Sequence, residues 1–184
     1  MSSPIVVLVS GQPASGKTTL ARQLAAHLRV PLISRDPITE ALADALGHHS
    51  RDLAEPSFAV FWRLLNEQVD GGVGVVGETN LHRGVSEPAV QHLATRASVR
   101  LVFCHTAREV SVRRFTERFE RGESHWCFDE GRRAARLRAG EPDLAWERAK
   151  PLDLHLPQLI VDTTDGYAPG FDAILAFARA LART

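Results

Sequence analysis

Gly11-Gln12-Pro13-Ala14-Ser15-Gly16-Lys17-Thr18 reads G-x-x-x-x-G-K-T, and its two flanks decide the fold. Upstream, Ile5-Val6-Val7-Leu8-Val9 is a short apolar run rich in β-branched residues, which suits a buried parallel strand. Downstream, Leu20, Leu24 and Leu28 recur at helical spacing with Ala21, Ala25 and Ala26 between them. A loop so placed can cradle phosphate. Glycines at 11 and 16 let backbone N–H groups turn inward, and the following helix adds the partial positive charge of its N-terminus. The expected cradle is Gly11, Gln12, Pro13, Ala14, Ser15, Gly16, Lys17, Thr18 and Thr19. In it Lys17 reaches the β- and γ-phosphates and the Thr18 hydroxyl ligates Mg²⁺. A chance loop before a helix is the alternative, but strand, motif and helix agree. Only Lys17 and Lys150 are lysines among 22 basic residues, so a chain that otherwise uses arginine has a compact ammonium here.

The 184 residues suit one domain with a real core. Hydrophobic content of 44% and charged content of 24% are those of a globular protein, and 22 acidic residues balance the 22 basic ones. That balance advertises neither nucleic acid nor an anionic membrane as a partner. The apolar run at 5–9 lacks the basic flank and length of a signal peptide, and no stretch approaches a membrane span. Cys104 and Cys127 cannot form a disulfide framework, and a cytoplasmic location is expected.

Strands are predicted at 31–34, 73–77, 99–104 and 159–162 in addition to 5–9. Helices are predicted after the loop and near 36–46, 55–69, 85–96, 107–121, 129–139, 142–149 and 171–181. Asp36 is expected to cap the second helix with Pro37 at its first position, and Ile38, Leu42, Ala45 and Leu46 to face inward. Val85, Val90 and Leu93 are the expected inward residues of the fourth. The class is α/β: a three-layer fold with a five-stranded parallel sheet and a small helical lid near 108–138, all in one domain.

Ligands of such sheets bind beyond the carboxyl ends of the strands. Four clusters therefore converge: the loop at 11–18, Arg35-Asp36, Glu78-Thr79-Asn80, and Asp162-Thr163-Thr164. Asp36 is the candidate general base for phosphoryl transfer to a hydroxyl, with helix capping as the plainer reading. Arg35 is a candidate for substrate contact or for a solvated charge. Glu78 ends a buried strand, where an unpaired carboxylate is costly; Mg²⁺ through water, a substrate hydroxyl or a salt bridge would each explain it. Residues 108–138 hold nine arginines against six carboxylates. Arg114, Arg118 and Arg121 share one helical face and could close over phosphates, though a solvated, salt-bridged helix has the same composition. Cys104, His105, His125 and Cys127 are too dispersed to suggest zinc.

Together these clusters resemble the P-loop kinase group that contains polynucleotide 5′-kinase, chloramphenicol phosphotransferase and zeta-toxin-like kinases, the AAA_33 group. Ser34-Arg35-Asp36 and Thr79-Asn80-Leu81 look most like the polynucleotide kinase domain. The resemblance implies ATP and Mg²⁺ as cofactors and Asp36 as general base. It implies phosphate contacts from Arg118, with Arg114 or Arg121 beside it, and Thr163 to Gly166 beside the adenine. It places Arg35, Asp36, Glu78 and Asn80 around the acceptor. Polynucleotide kinases carry an arginine three residues beyond the aspartate, where this chain has Thr39. The expected activity is phosphate transfer from ATP to a hydroxyl of a small molecule or nucleotide. A polynucleotide or nucleoside kinase and a regulatory ATPase switch are the competing readings, with oligomeric state open.

Overall fold

In the computed structural model, which describes residues 3–180, β and α elements alternate almost throughout. They are β1 (Ile5–Gly11), α1 (Lys17–Leu28), β2 (Leu32–Ser34), α2 (Arg35–Leu46), α3 (Ala54–Asp70), β3 (Val75–Glu78) and α4 (Glu87–Ala94). Then follow β4 (Ser98–His105), α5 (Arg108–Glu120), α6 (Glu130–Arg138), α7 (Leu144–Arg148), β5 (Gln158–Asp162) and α8 (Phe171–Arg179). The five strands pair in the order β2-β3-β1-β4-β5, every pair parallel. This is the expected three-layer sheet fold.

Alternation along β1 divides the core, because successive side chains point to opposite faces. Val6 and Leu8 pack with Phe61, Leu65 and Val69 of α3 and Val90 and Leu93 of α4. Val7 and Val9 pack on the other face with Leu20 and Leu24 of α1 and Ile174 and Leu175 of α8. A third cluster stands apart: Phe115, Ala134, Leu137 and Trp146 join α5, α6 and α7 into a packing unit. No helix among the described residues is long and apolar enough to cross a membrane.

Local expectations fail in three places. Asp36 is not a cap: α2 starts at Arg35 behind an extended Ser34, so Asp36 lies in the first turn. The inward face of α2 centres on buried Thr39 and Ala43, with Ile38 and Leu42 packed beside it, leaving Leu46 57% exposed and Ala45 exposed as well. Val85 is 73% exposed, because α4 begins only at Glu87 and the residues before it form a turn held by His82. The expected helix at 171–181 ends at Arg179, and residue 181 lies outside the described residues.

Candidate active site

The loop is built to leave donors free. Gly16, in a left-handed conformation with φ 77°, precedes α1, and no side chain caps that helix. The amides of Lys17, Thr18 and Thr19, in its first turn, therefore have no intrahelical acceptor. The Ser15 hydroxyl is buried without a partner and Ala14 adopts φ 54°, rare for a side-chain-bearing residue. Uncapped amides, an orphan hydroxyl and a buried Lys17 together form the polar concavity that an anionic phosphate chain fits. Gly11 has a different task from the one its motif position suggests. It lies inside β1, and a Cβ there would clash with the carbonyl of Cys104 on β4.

Neighbouring elements hold the loop's outer side. The Gln12 amide donates to the Cys104 carbonyl at 3.2 Å, and its side-chain oxygen accepts from the Thr106 amide at 3.0 Å. The Thr163 hydroxyl donates toward the Ser15 and His105 carbonyls at 2.7 and 3.0 Å. From the α5–α7 unit, the Trp146 indole donates to the Ser111 hydroxyl at 2.6 Å, and Ser111 donates to the Pro13 carbonyl. Neither Ser111 nor Trp146 stood out in the sequence, because a small polar residue in a helix carries no signal of its partner.

Two cavities flank the loop. One, of about 360 Å³, is lined by Gly16, Thr19, Arg114, Thr163, Gly166 and Tyr167. Arg114 donates to the Thr164 carbonyl at 3.2 Å beside it. The other, of about 250 Å³, is polar and contains Lys17, Arg35, Asp36, Glu40, Asn80 and Arg118 in its lining. Arg118 is held there by Glu130 and lies 5.4 Å from the Phe115 ring, while Arg121 pairs with Glu123 at 2.6 Å. The structure thus separates three arginines that shared a helical face: Arg118 at the polar cavity, Arg114 at the other, Arg121 in neither lining. Arg133 also lines the polar cavity, paired with Asp143 at 2.7 Å and stacked over Phe115 and Trp146. Sequence reasoning counted it among the nine arginines of the 108–138 segment without singling it out.

Glu78 is 2% exposed. Burial raises its pKa; Lys17 opposes that rise, Asp36 adds to it, and the Ser34 and Thr18 hydroxyls lie against the carboxylate and lower it again. Thr18 and Glu78 thus bring hydroxyl and carboxylate oxygens together, a hard-donor set that suits Mg²⁺. Arg35 stacks 4.1 Å above the Phe58 ring, and burial lowers its pKa against the pull of Asp36 and Glu78. Its Nε, the Thr79 hydroxyl and the Asn80 side-chain oxygen are buried without partners. Thr39 is fully buried and donates to the Arg35 carbonyl at 3.1 Å, so it faces its own helix and not the cavity.

Sheet order, loop and flanking cavities define the class: a P-loop protein with the fold of the P-loop kinases. Residues 6–141 match the AAA_33 family, described as an AAA domain, and the chain belongs to that family. A candidate kinase from Chloroflexus aurantiacus superposes with a TM-score of 0.76 at 28% identity, covering 97% of this chain and 96% of that one. The APS kinase of Mycobacterium tuberculosis, in complex with AMPPNP and APS, shares the fold at a TM-score of 0.67 and 16% identity, covering 98% and 100%. Curated relatives match over short segments. A cytidylate kinase from Pyrobaculum neutrophilum is 56% identical over 43 residues, 23% of each chain. A shikimate kinase from Corynebacterium efficiens is 44% identical over 59 residues, 32% of this chain and 34% of that one. The matches thus span a quarter to a third of those relatives' lengths.

Proposed function

We propose that this protein is a kinase that transfers the γ-phosphate of ATP to a hydroxyl of a small molecule. The observation that carries this reading is the shared cavity, in which Asp36 and Lys17 line one open polar cleft beside the phosphate loop. ATP with Mg²⁺ would supply the phosphoryl group and the divalent charge that spreads over it. The loop amides and Lys17 would hold the β- and γ-phosphates, with the nucleoside in the cavity beside Thr19, Arg114, Thr163 and Tyr167. Thr18 and Glu78 would hold the metal. Asp36 would take the proton from the attacking hydroxyl as the new oxygen–phosphorus bond forms and the β–γ bridging oxygen leaves with ADP. Arg118 would neutralise charge on the transferring oxygens. The α5–α7 unit, with its separate core, would serve as the lid within a single kinase domain.

An alcohol acceptor fits better than a phosphate one. Asp36 and Glu40 both line the acceptor cavity. Carboxylates accept hydrogen bonds from hydroxyls and repel an ionised phosphate, whereas Arg35, Arg51, Arg118 and Arg133 in the same lining would attract one. The preference therefore rests on Asp36 as a base for a hydroxyl. Thr39 turned inward offers nothing to a terminal nucleic-acid phosphate, which weighs against a polynucleotide substrate.

The test is a transfer screen with labelled ATP against sugars, other alcohols, nucleosides, nucleoside monophosphates and 5′-hydroxyl oligonucleotides. Once the acceptor is in hand, Asp36→Asn should leave ATP affinity nearly intact and lower kcat by ~10²-fold or more. Lys17→Ala should impair nucleotide binding itself. Full transfer by Asp36→Asn would remove Asp36 from the mechanism.

A further inference from the structure

Lys150 is one of the chain's two lysines, and the phosphate loop uses only the other. It lies with His82, Arg83, Val85 and Arg148 around a further cavity of about 550 Å³. One wall is the segment that follows β3, the other the end of α7 and the segment after it. The acceptor cavity interleaves carboxylates with guanidiniums, whereas among the described residues the charged lining here is basic. Like charges crowd only at a cost, and among the described residues no carboxylate shares the lining with them. Glu87 turns instead to the backbone amides of Gly84, Val85 and Asp153. Among the described residues, arginine ion pairs such as Arg96–Asp70 and Arg136–Glu141 form elsewhere, and none involves Arg83, Arg148 or Lys150.

The cleft is also organised. Arg83 Nε donates to the Pro151 carbonyl at 2.7 Å, tying its guanidinium to the opposite wall. His82 Nδ1 is buried without a partner. Burial first, then Arg35 and Arg148, lower the pKa of that imidazole, so it adds no charge but offers a ring nitrogen. Val85 contributes an apolar surface 73% exposed to solvent.

We propose that this cleft is a second anion-binding site that takes the phosphate group of a small phosphorylated molecule, with Arg83, Arg148 and Lys150 on the phosphate and Val85 against the carbon skeleton. Guanidinium forks and a mobile ammonium around one point are the donors a phosphate takes. The cations cluster around one cavity in a chain of zero net charge, which favours a small ligand over the long anionic track of a nucleic acid.

The test uses the full chain saturated with Mg²⁺ and a non-hydrolysable ATP analogue, so that the phosphate loop is filled, and titrates inorganic phosphate by NMR. Saturable shifts should appear at residues 82–85 and 148–150. Arg148→Ser/Lys150→Ser should weaken phosphate binding about tenfold or more, with unchanged Tm and analogue affinity. Turnover then separates the sources of the phosphate. If it belongs to the acceptor, free phosphate competes and the double variant raises acceptor KM at constant kcat. If it belongs to a separate effector, phosphate alters the rate without competing. No saturable binding, shifts confined to the acceptor cavity, or equal binding by both proteins would overturn the proposal. Tight, strongly salt-dependent binding of an oligonucleotide there would also overturn it. The binding is read without turnover, so failure of the kinase reading would leave it standing.

Discussion

At the residue scale, Glu78 shows how environment sets a role that residue type alone leaves open. Its carboxyl pKa is raised, with burial outweighing Lys17. The folded chain therefore holds the proton more tightly than the unfolded chain does. The resulting stability is present below the ordinary carboxylate pKa and is lost as pH climbs through the raised value. In the proposed role Glu78 would hold Mg²⁺ in its ionised form, so that binding would work against the proton. We predict that Mg²⁺-dependent nucleotide affinity weakens on acidification with a midpoint above that of an ordinary glutamate. Glu78→Gln should flatten the profile and weaken the dependence on Mg²⁺. Calorimetric titrations at a series of pH values check both, and a midpoint at the ordinary value would contradict the burial argument. Gly11 is the opposite case, a motif glycine whose need is steric. Gly11→Ala should destabilise the protein by several kcal/mol, because β1 and β4 cannot separate locally. Chemical denaturation measures this directly.

At the element scale, the phosphate loop is supported from outside by α5 and α7. The chain from Trp146 through Ser111 to the Pro13 carbonyl links the α5–α7 core to the loop that α1 only begins. Ser111→Ala removes only the hydroxyl and leaves the indole N–H and the carbonyl unpaired. We expect a loss of about 2 kcal/mol in stability, from urea unfolding, together with weaker nucleotide binding. The apolar members of α5 are Val110, Val112, Phe115 and Phe119, and of these Phe115 is buried while Phe119 is exposed. That pattern cannot show that Ser111, one turn before Phe115, faces the loop.

At the scale of the whole molecule, the segment between α5 and α6 is fastened to α2. The Trp126 indole donates to Asp44 at 2.9 Å, and His125 lies 3.3 Å from the same carboxylate. If the α5–α7 unit is a lid, this contact is its latch. Asp44→Ala should then speed hydrogen exchange at 122–128 in the nucleotide-free protein, and an ATP analogue with Mg²⁺ should slow it in the wild type. Exchange unaffected by either change would mean a rigid unit. Much of this organisation was legible in the chain: the strand–loop–helix unit at 5–28, the five strands and the convergence of their ends all rest on local periodicity and short-range spacing. Asp36 was legible as an acid beyond β2, but its place in the first turn was not, because the start of α2 depends on how Ser34 leaves the sheet. Arg133, the split of Arg114 from Arg118, the steric reason for Gly11 and the basic cleft around Lys150 appear only in three dimensions. Each depends on contacts between residues far apart in sequence. Sequence by itself determined the strand–loop–helix unit with free backbone donors, since a loop between strand and helix dictates its own amides. Tertiary structure alone decided what surrounds that loop, because packing sets the distances between one strand end and the next.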